Sequence, residues 1–453
     1  MSVLPPPEAV DLEVPVLIIG AGACGMVAAL AAQEAGTEPL VLEADPVPSG
    51  STALSAGLIP AAGTRLQAEA GIADDPARFA ADIQAKAKGE NPQALVDLLA
   101  REAAPAVDWL CDLGLPFSVV DDFDYPGHSR HRMHGLPSRA GRELIDRLRS
   151  LCEARGIDIV CDRRAVALYA EAGRVTGAEI AAPEGTERIG AQTVVLACNG
   201  YGGNREMVAA EMPAIADAIW FGHDGNRGDA VTWGRALGAR VRHLGAYQGH
   251  GNVAHPHGIL ITWATITEGG VQVNTRGERF WDESQGYSEA ARAVLAQPGG
   301  VAWTIFDARI AGVARQFEDF RAAEAAGAVR EAEDIAALAA TCDLPEDRLA
   351  AELSALSGTD RFGRRFRRAG LTPPYRAVKV TGALFHTQGG LEVDDAARVV
   401  GADGPIPGLF AAGGAALGVS GKGDSGYLSG NGLLSAVALG RVAGRAAAAD
   451  ATR

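Results

Sequence analysis

The stretch Val14–Gly25, VPVLIIGAGACG, limits what this chain can fold into more than any other. An apolar run, Val16–Ile19 with Pro15 before it, enters Gly20-Ala-Gly22-Ala-Cys-Gly25, and an alanine-rich segment of helical character, Met26–Gln33, follows. A buried strand, a tight glycine turn and a helix start are what a dinucleotide pyrophosphate requires. Gly20 permits the turn, Gly22 lets the backbone approach the phosphates, and Gly25 lets the helix pack on the strand. The helix N-terminus, with Ala23 and Cys24 in its first turn, offers N–H groups and a positive dipole end to the anion. A second strand, Pro39–Leu42, runs into Glu43-Ala44 and places a carboxylate 18 residues past Gly25, where a ribose hydroxyl would be held. The expected fold class is α/β, with a Rossmann-like dinucleotide-binding domain.

Composition narrows the class of protein. A chain of 453 residues has room for two or three domains and a large core. Its formal charge of −15 opposes binding to nucleic acid or to an anionic membrane surface. The six cysteines are scattered without a CxxC pair, which points to free thiols in a reducing, cytoplasmic compartment. No apolar run reaches the roughly 18 residues of a membrane span. The acidic, proline-rich start is no signal peptide, and residues 1–13 are expected to form a loose leader. Tyr125–Pro137 gathers His128, His131 and His134 with Arg130 and Arg132. Metal binding is conceivable from that spacing, but no carboxylate or cysteine completes a set. These histidines are therefore read as surface or pocket-edge residues, and no metal is expected.

Along the chain, Pro48–Thr64 is a run of small residues including Ser51, Thr52, Ala56 and Gly57, against which a flat ring system can lie. Leu54, Leu58 and Ile59 argue against a flexible linker there. Two helices are expected over 77–113 and another from Gly141. Strands are expected over Ile157–Ala167 (with Ala165 near its end), Val175–Ile180 and Thr193–Gly200, the last closing on Asn199-Gly200. A sheet strand that runs into small residues at its carboxyl end is where open α/β folds place ligands. Asp224–Ala239 is a glycine turn into a helix. The character changes near 245, and the charged stretch 311–356 reads as helical. After Pro373-Pro374 short strands return, then a glycine-rich loop from Gly413 and a final helix from about 433. The organisation expected is a dinucleotide domain over 14–244 and 377–453, with an inserted substrate domain over 245–376.

Gly430-Asn-Gly432 followed by Leu433-Leu434 repeats the opening device of small residues and a helix start. A second helix N-terminus suits the electron-rich edge of a reduced flavin, which favours FAD over NAD. No histidine stands beside Gly50-Ser51-Thr52, so the FAD is expected to be non-covalent.

At this point the chain resembles the FAD-dependent fumarate reductase/succinate dehydrogenase flavoprotein superfamily, which also holds the 3-ketosteroid dehydrogenases. The resemblance rests on GAGACG, LACNGYGGN (196–204), GDAVTWGRALGA (228–239), VQVNTRGERFWDE (271–283), FHTQGGLEVD (385–394), IPGLFAAGG (406–414) and GYLSGNGLLSA. It implies an FAD domain in two sequence segments and an inserted α+β capping domain. It also implies two arginines in the fumarate reductases, one donating a proton and one gripping a carboxylate. Those places here hold Tyr287 and Tyr427, as in the ketone-desaturating branch, and Tyr427-Leu-Ser429 matches that branch's Tyr-x-Ser. The HTxGG histidine is retained as His386, and His250 lies near the family's other pocket histidine. Gly414 departs from the family by replacing a flavin-domain glutamate.

The activity this implies is α,β-desaturation of a cyclic ketone, either an oxocyclohexane carboxylate or a 3-ketosteroid. In that assignment Tyr427, with Ser429, polarises the carbonyl, Tyr287 takes the proton, and Tyr125 lends support. The partners implied are the ketone and an electron acceptor such as oxygen, a quinone or another carrier. The rival reading is a fumarate-reductase-like enoate reductase.

Overall fold

A computed structural model describes residues 3–121, 125–366, 368 and 370–452. The chain divides into two compact units: Met1–Met207, Gly222–Tyr247 and His386–Arg453 form one, and Val208–Phe221 with Gln248–Phe385 form the other.

The first unit is built on a nine-stranded mixed sheet. Leu12–Ile19 lies between Gly185–Leu196 and Pro39–Leu42, parallel to both, and Gly404–Ala411 and Asp158–Val160 extend the parallel part on either side. Val16, Leu17, Ile18, Val194 and Val195 are fully buried, as expected for strands covered on both faces. The carboxyl ends Ile19, Leu42, Leu196 and Ala411 therefore open on one edge, and the glycine-rich loops leave from there. The helix Ala23–Glu34 is apolar all round and buried along ten of its twelve residues. It packs on the C-terminal helix Gly440–Ala451 through small residues. A methyl at Gly444 would stand 2.0 Å from the Ala28 carbonyl oxygen, so only glycine allows that approach.

The second unit has a seven-stranded sheet whose longest strand, Tyr375–Thr387, pairs antiparallel with Val301–Asp307 and Val329–Ala332. Helices pack around it. Together the units give the α/β dinucleotide fold with an α+β insertion that the sequence predicts.

Several local expectations change. The leader is not loose: Val3–Leu4 adds a parallel strand beside Leu168–Tyr169, and Asp11 N donates to Arg188 O at 2.8 Å; residues 1 and 2 lie outside the described residues. The stretch 311–356 is four helices interrupted by the strand Val329–Ala332, because pairing with Tyr375–Val378 overrides the helix propensity of an alanine-rich run. Leu54 is 63% exposed, whereas Leu58 and Ile59 are buried as expected. His134 is not at a surface or pocket edge but fully buried. Its Nε2 meets Thr64 Oγ1 at 2.8 Å and its Nδ1 meets Arg132 O at 2.9 Å. Arg132 is buried too, paired with Asp74 and Asp82. Around His134 and Arg132 this segment is a structural strap, with both side chains held by internal partners.

Candidate active site

In the first unit the glycine turn follows directly from the end of strand Leu12–Ile19. Gly20 adopts a φ of +109°, and a side chain there would stand 2.6 Å from Ala197 O. A methyl at Gly25 would lie 1.8 Å from Gly20 O. The helix that follows has Gly22 as its N-cap, so the cap residue itself brings no side chain to its first N–H groups. Glu43 is buried and braces the turn: Ala21 N donates to its Oε2 at 2.8 Å and Asp45 N to its Oε1 at 3.0 Å. Ala44 is exposed beside it. Arg163 N donates to Glu43 O, which brings the strand carrying Ala165 to the same end of the sheet.

The small-residue loop folds over this turn. Thr52 Oγ1 accepts from Ala23 N at 3.3 Å. Ser51 Oγ accepts from both Asn199 Nδ2 (2.9 Å) and Asn226 Nδ2 (2.8 Å). Asn199 holds a left-handed φ of +64°, and its Oδ1 accepts from Gly200 N at 2.8 Å. Gly57, with φ of +65°, lies against the Ala140–Gly141 backbone, and Ala56 is exposed. A methyl at Gly413 would stand 3.2 Å from Cys24 Sγ. Burial pushes the Cys24 and Cys198 thiols up to about 12, so both stay protonated and apolar in character. This cradle of close backbone, uncapped helix N–H groups and a buried carboxylate fits an FAD diphosphate and ribose. The orphaned buried Oδ1 of Asn431 fits a further polar group of the cofactor.

At the C-terminal glycine cluster, Gly430 has a φ of +87° and caps the helical run that begins with Asn431. The Tyr427 oxygen receives the backbone N–H groups of Gly432 and Gly430, so these donors meet the phenol. Burial still raises the Tyr427 pKa above the ordinary tyrosine value, and the N–H groups pull the other way. An oxygen that accepts two N–H bonds keeps its O–H as a donor. The His386 ring stands edge-on to Tyr427, 5.4 Å between centroids. Desolvation pushes His386 down to about 4, so it is neutral near pH 7. Ser429 is buried, and its carbonyl meets His128 Nε2 at 2.9 Å. Tyr125 packs with Leu58, Val120 and Met133, and His128 makes a contact to the Tyr427–Ser429 strip. Leu434 is buried in the core, and Leu433 packs against it partly exposed.

In the second unit Tyr287 opens the helix Tyr287–Leu295 after Gly286. That helix lies directly on the strand carrying His250: a methyl at Gly251 would stand 2.3 Å from the Ala290 backbone. His250 stacks on Tyr287 (5.2 Å) and on Phe385 (5.6 Å), and Trp263 meets both His250 and Tyr287 edge-on. Asn252 N donates to His250 Nδ1 at 3.2 Å, which leaves the ring proton on Nε2. Burial pushes His250 down to about 3. Just before this helix, Arg279 pairs with Glu283 and Asp360, and Arg364 with Glu283. These two buried arginines are spent on buried carboxylates and fix the start of the helix.

Sequence reading passed over Asn226, Gln388, Ser420 and Asn431, and read His128 as a surface or pocket-edge residue. Gln388 and Asn431 sit inside quoted motifs, so position was a signal for them. His128 and Ser420 join the site only through tertiary contact.

A strand–glycine turn–helix at the carboxyl edge of a parallel sheet, with a second glycine-capped helix returning to it, defines a dinucleotide-binding flavoprotein. The family profile described as an FAD binding domain matches residues 15–433, and the chain belongs to that family, within the fumarate reductase/succinate dehydrogenase flavoprotein superfamily. It is 34% identical over 450 residues to the probable fumarate reductase Ifc3 of Shewanella frigidimarina, covering 96% of this chain and 75% of that protein. It is 26% identical over 539 residues to the 4-oxocyclohexanecarboxylate 2-dehydrogenase of Sinomonas cyclohexanicum, covering 96% and 93%. The open conformation of a flavocytochrome c3 fumarate reductase superposes with a TM-score of 0.85 at 32% identity, covering 98% of this chain and 80% of that one. The 3-ketosteroid-Δ4-(5α)-dehydrogenase of Rhodococcus jostii superposes at 0.79 and 23% identity, covering 98% and 100%, a likeness of fold. The protein is an FAD-dependent oxidoreductase. Among the described residues no helix is long and apolar enough to cross a membrane.

Proposed function

We propose that this flavoprotein desaturates a cyclic ketone at the α,β position, with Tyr427 donating to the carbonyl oxygen and Tyr287 removing the α-proton. Bound FAD supplies the two-electron acceptor for the hydride from the β-carbon. The observation that carries the reading is that both places where the superfamily's carboxylate-handling members have arginine hold uncharged phenols. Around Tyr427 the other groups are a neutral imidazole and backbone N–H donors. Around Tyr287 they are aromatic rings. Neither phenol offers a cation to a dicarboxylate, whose charges would lose their hydration without one in return.

Tyr427 donates where negative charge develops, so its hydrogen bond strengthens toward the transition state. Tyr287 acts as base in its phenolate form, its own proton having passed to solvent before the step. The relation to a protein named as a 4-oxocyclohexanecarboxylate 2-dehydrogenase supports a monocyclic ketone over a steroid. An anaerobic screen of steroidal and monocyclic ketones for flavin bleaching tests the reading; bleaching by none of them overturns it.

The second reading is enoate reduction, favoured by the relationship to a probable fumarate reductase. Turnover of fumarate or related enoates with a reduced dye, and none of ketones, would establish it.

A further inference from the structure

His386 is tied to three buried side chains that the proposed mechanism leaves unused. Gln388 Nε2 lies 2.8 Å from His386 Nδ1. Ser420 Oγ lies 2.7 Å from Gln388 Oε1, and Asn431 Nδ2 lies 3.1 Å from Ser420 Oγ. The far end of this chain is a main-chain carbonyl, Val419 O, 3.1 Å from Asn431 Nδ2. Gln388, Ser420 and Asn431 are each at most 5% exposed.

Proton positions follow from that end. A carbonyl only accepts, so the Asn431 atom facing it is the NH2 group. The same NH2 donates to Ser420 Oγ, and the Ser420 hydroxyl passes its own proton on to Gln388. The Gln388 atom facing Ser420 is then its carbonyl oxygen, which turns the amide NH2 toward His386. Nδ1 accepts, and the imidazole proton resides on Nε2. Thr387 O lies 3.4 Å from the same Nδ1 and would favour the opposite tautomer. At that length it is the weaker contact, and the 2.8 Å amide decides.

We infer that Gln388, held by Ser420 and Asn431, is a positioning residue that locks His386 as an Nε2–H donor, and that this donor selects a substrate carbonyl oxygen. A fixed neutral N–H serves a carbonyl well and a carboxylate less well than a cation does. The lock stands on the geometry alone; what the N–H meets rests on the ketone reading. The ring is already placed for contact at the glycine cluster, since a methyl on Gly432 would stand 3.1 Å from Nε2.

The test is long-range 1H–15N correlation on holoprotein labelled at histidine, with His386→Gln assigning the signal. The wild type is expected to show a protonated Nε2 and a bare Nδ1. Gln388→Met should give a mixture of tautomers, and Gln388→Glu should draw the proton to Nδ1. Ser420→Ala, which frees the amide to turn over, should give a mixture as well and serves if a Gln388 variant misfolds. A wild-type proton on Nδ1, or an unchanged tautomer in the variants, overturns the lock. With FAD content unchanged, kcat/KM for the cyclic ketone in Gln388→Glu should fall on the order of tenfold. An altered tautomer with undiminished kcat/KM overturns the role in selecting the carbonyl. A wild-type Nε2–H in a protein that bleaches with no ketone leaves the lock standing and removes the ketone reading.

Discussion

The imidazole of His386 meets the phenol of Tyr427 edge-on, with ring planes at 75° and centroids 5.4 Å apart. That contact fixes the phenol from the side while Gly430 and Gly432 hold its oxygen from the backbone. The hydroxyl is therefore placed before any substrate arrives, which is what electrostatic stabilisation of a developing charge needs.

Tyr427→Phe removes this donor and keeps the ring contact. It leaves two N–H groups without their oxygen, at a cost of about 1–3 kcal/mol of stability each at most. The flavin should stay bound, while kcat/KM for ketone-driven bleaching falls by about 10²–10³-fold. Because burial raises the Tyr427 pKa, wild-type activity should show no alkaline loss from this group below about pH 10. Full bleaching by Tyr427→Phe removes the assignment.

Acid should unfold this protein early. The folded-state pKa values of His134 and His250 are lowered to about 4 and about 3, from the ordinary 6.5, by burial. Above pH 6.5 neither ring binds a proton in either state, and the stability is whole. Below 6.5 the unfolded chain takes up protons that the folded one refuses. Stability then falls until about pH 4 for His134 and about pH 3 for His250. At about 1.4 kcal/mol per pH unit, His134 alone accounts for about 3 kcal/mol. Urea unfolding between about pH 7 and about pH 4.5 should show this slope, reduced in His134→Gln. An equal slope in the variant would exclude His134 as its source.

Gly25→Ala should yield protein without flavin. Its methyl falls 1.8 Å from Gly20 O, which is backbone and has no rotamer by which to withdraw. The turn must open, and the uncapped helix N–H groups lose their alignment. Absorbance near the flavin band after gel filtration measures the loss; a fully yellow variant would mean the cradle lies elsewhere.

How much of this was legible in the sequence follows from the range of the interactions. Gly20 and Gly25 announce themselves because backbone sterics demand glycine at a fixed local spacing. Gly430, with its left-handed φ, does the same for the second helix start. The strand Val3–Leu4 is two residues long and carries no period to read. The Gln388–Ser420–Asn431 relay joins loops far apart in the chain, and only packing turns those amides toward one another. Likewise the Arg279–Glu283 pair was visible as a motif, but its bond to Asp360 was not. Tyr287 and Tyr427 could be singled out because superfamily members have arginine there, a signal that local pattern alone does not contain.

The aromatic setting of Tyr287 separates its chemistry from its packing. His250 stacks on the ring at 16°, and Trp263 closes it edge-on at 74°. Phenylalanine retains both ring contacts, so Tyr287→Phe should fold and keep its FAD. Removing the oxygen takes away the base, and general-base catalysis is worth about 10²–10⁴-fold. Single-turnover bleaching by the ketone should slow by that factor, with FAD content unchanged. A deuterium at the α-carbon should slow the wild type and so report that proton removal limits the step. If Tyr287→Phe bleaches at the wild-type rate, the proton leaves by another group, and Tyr287 is a packing residue of the aromatic wall.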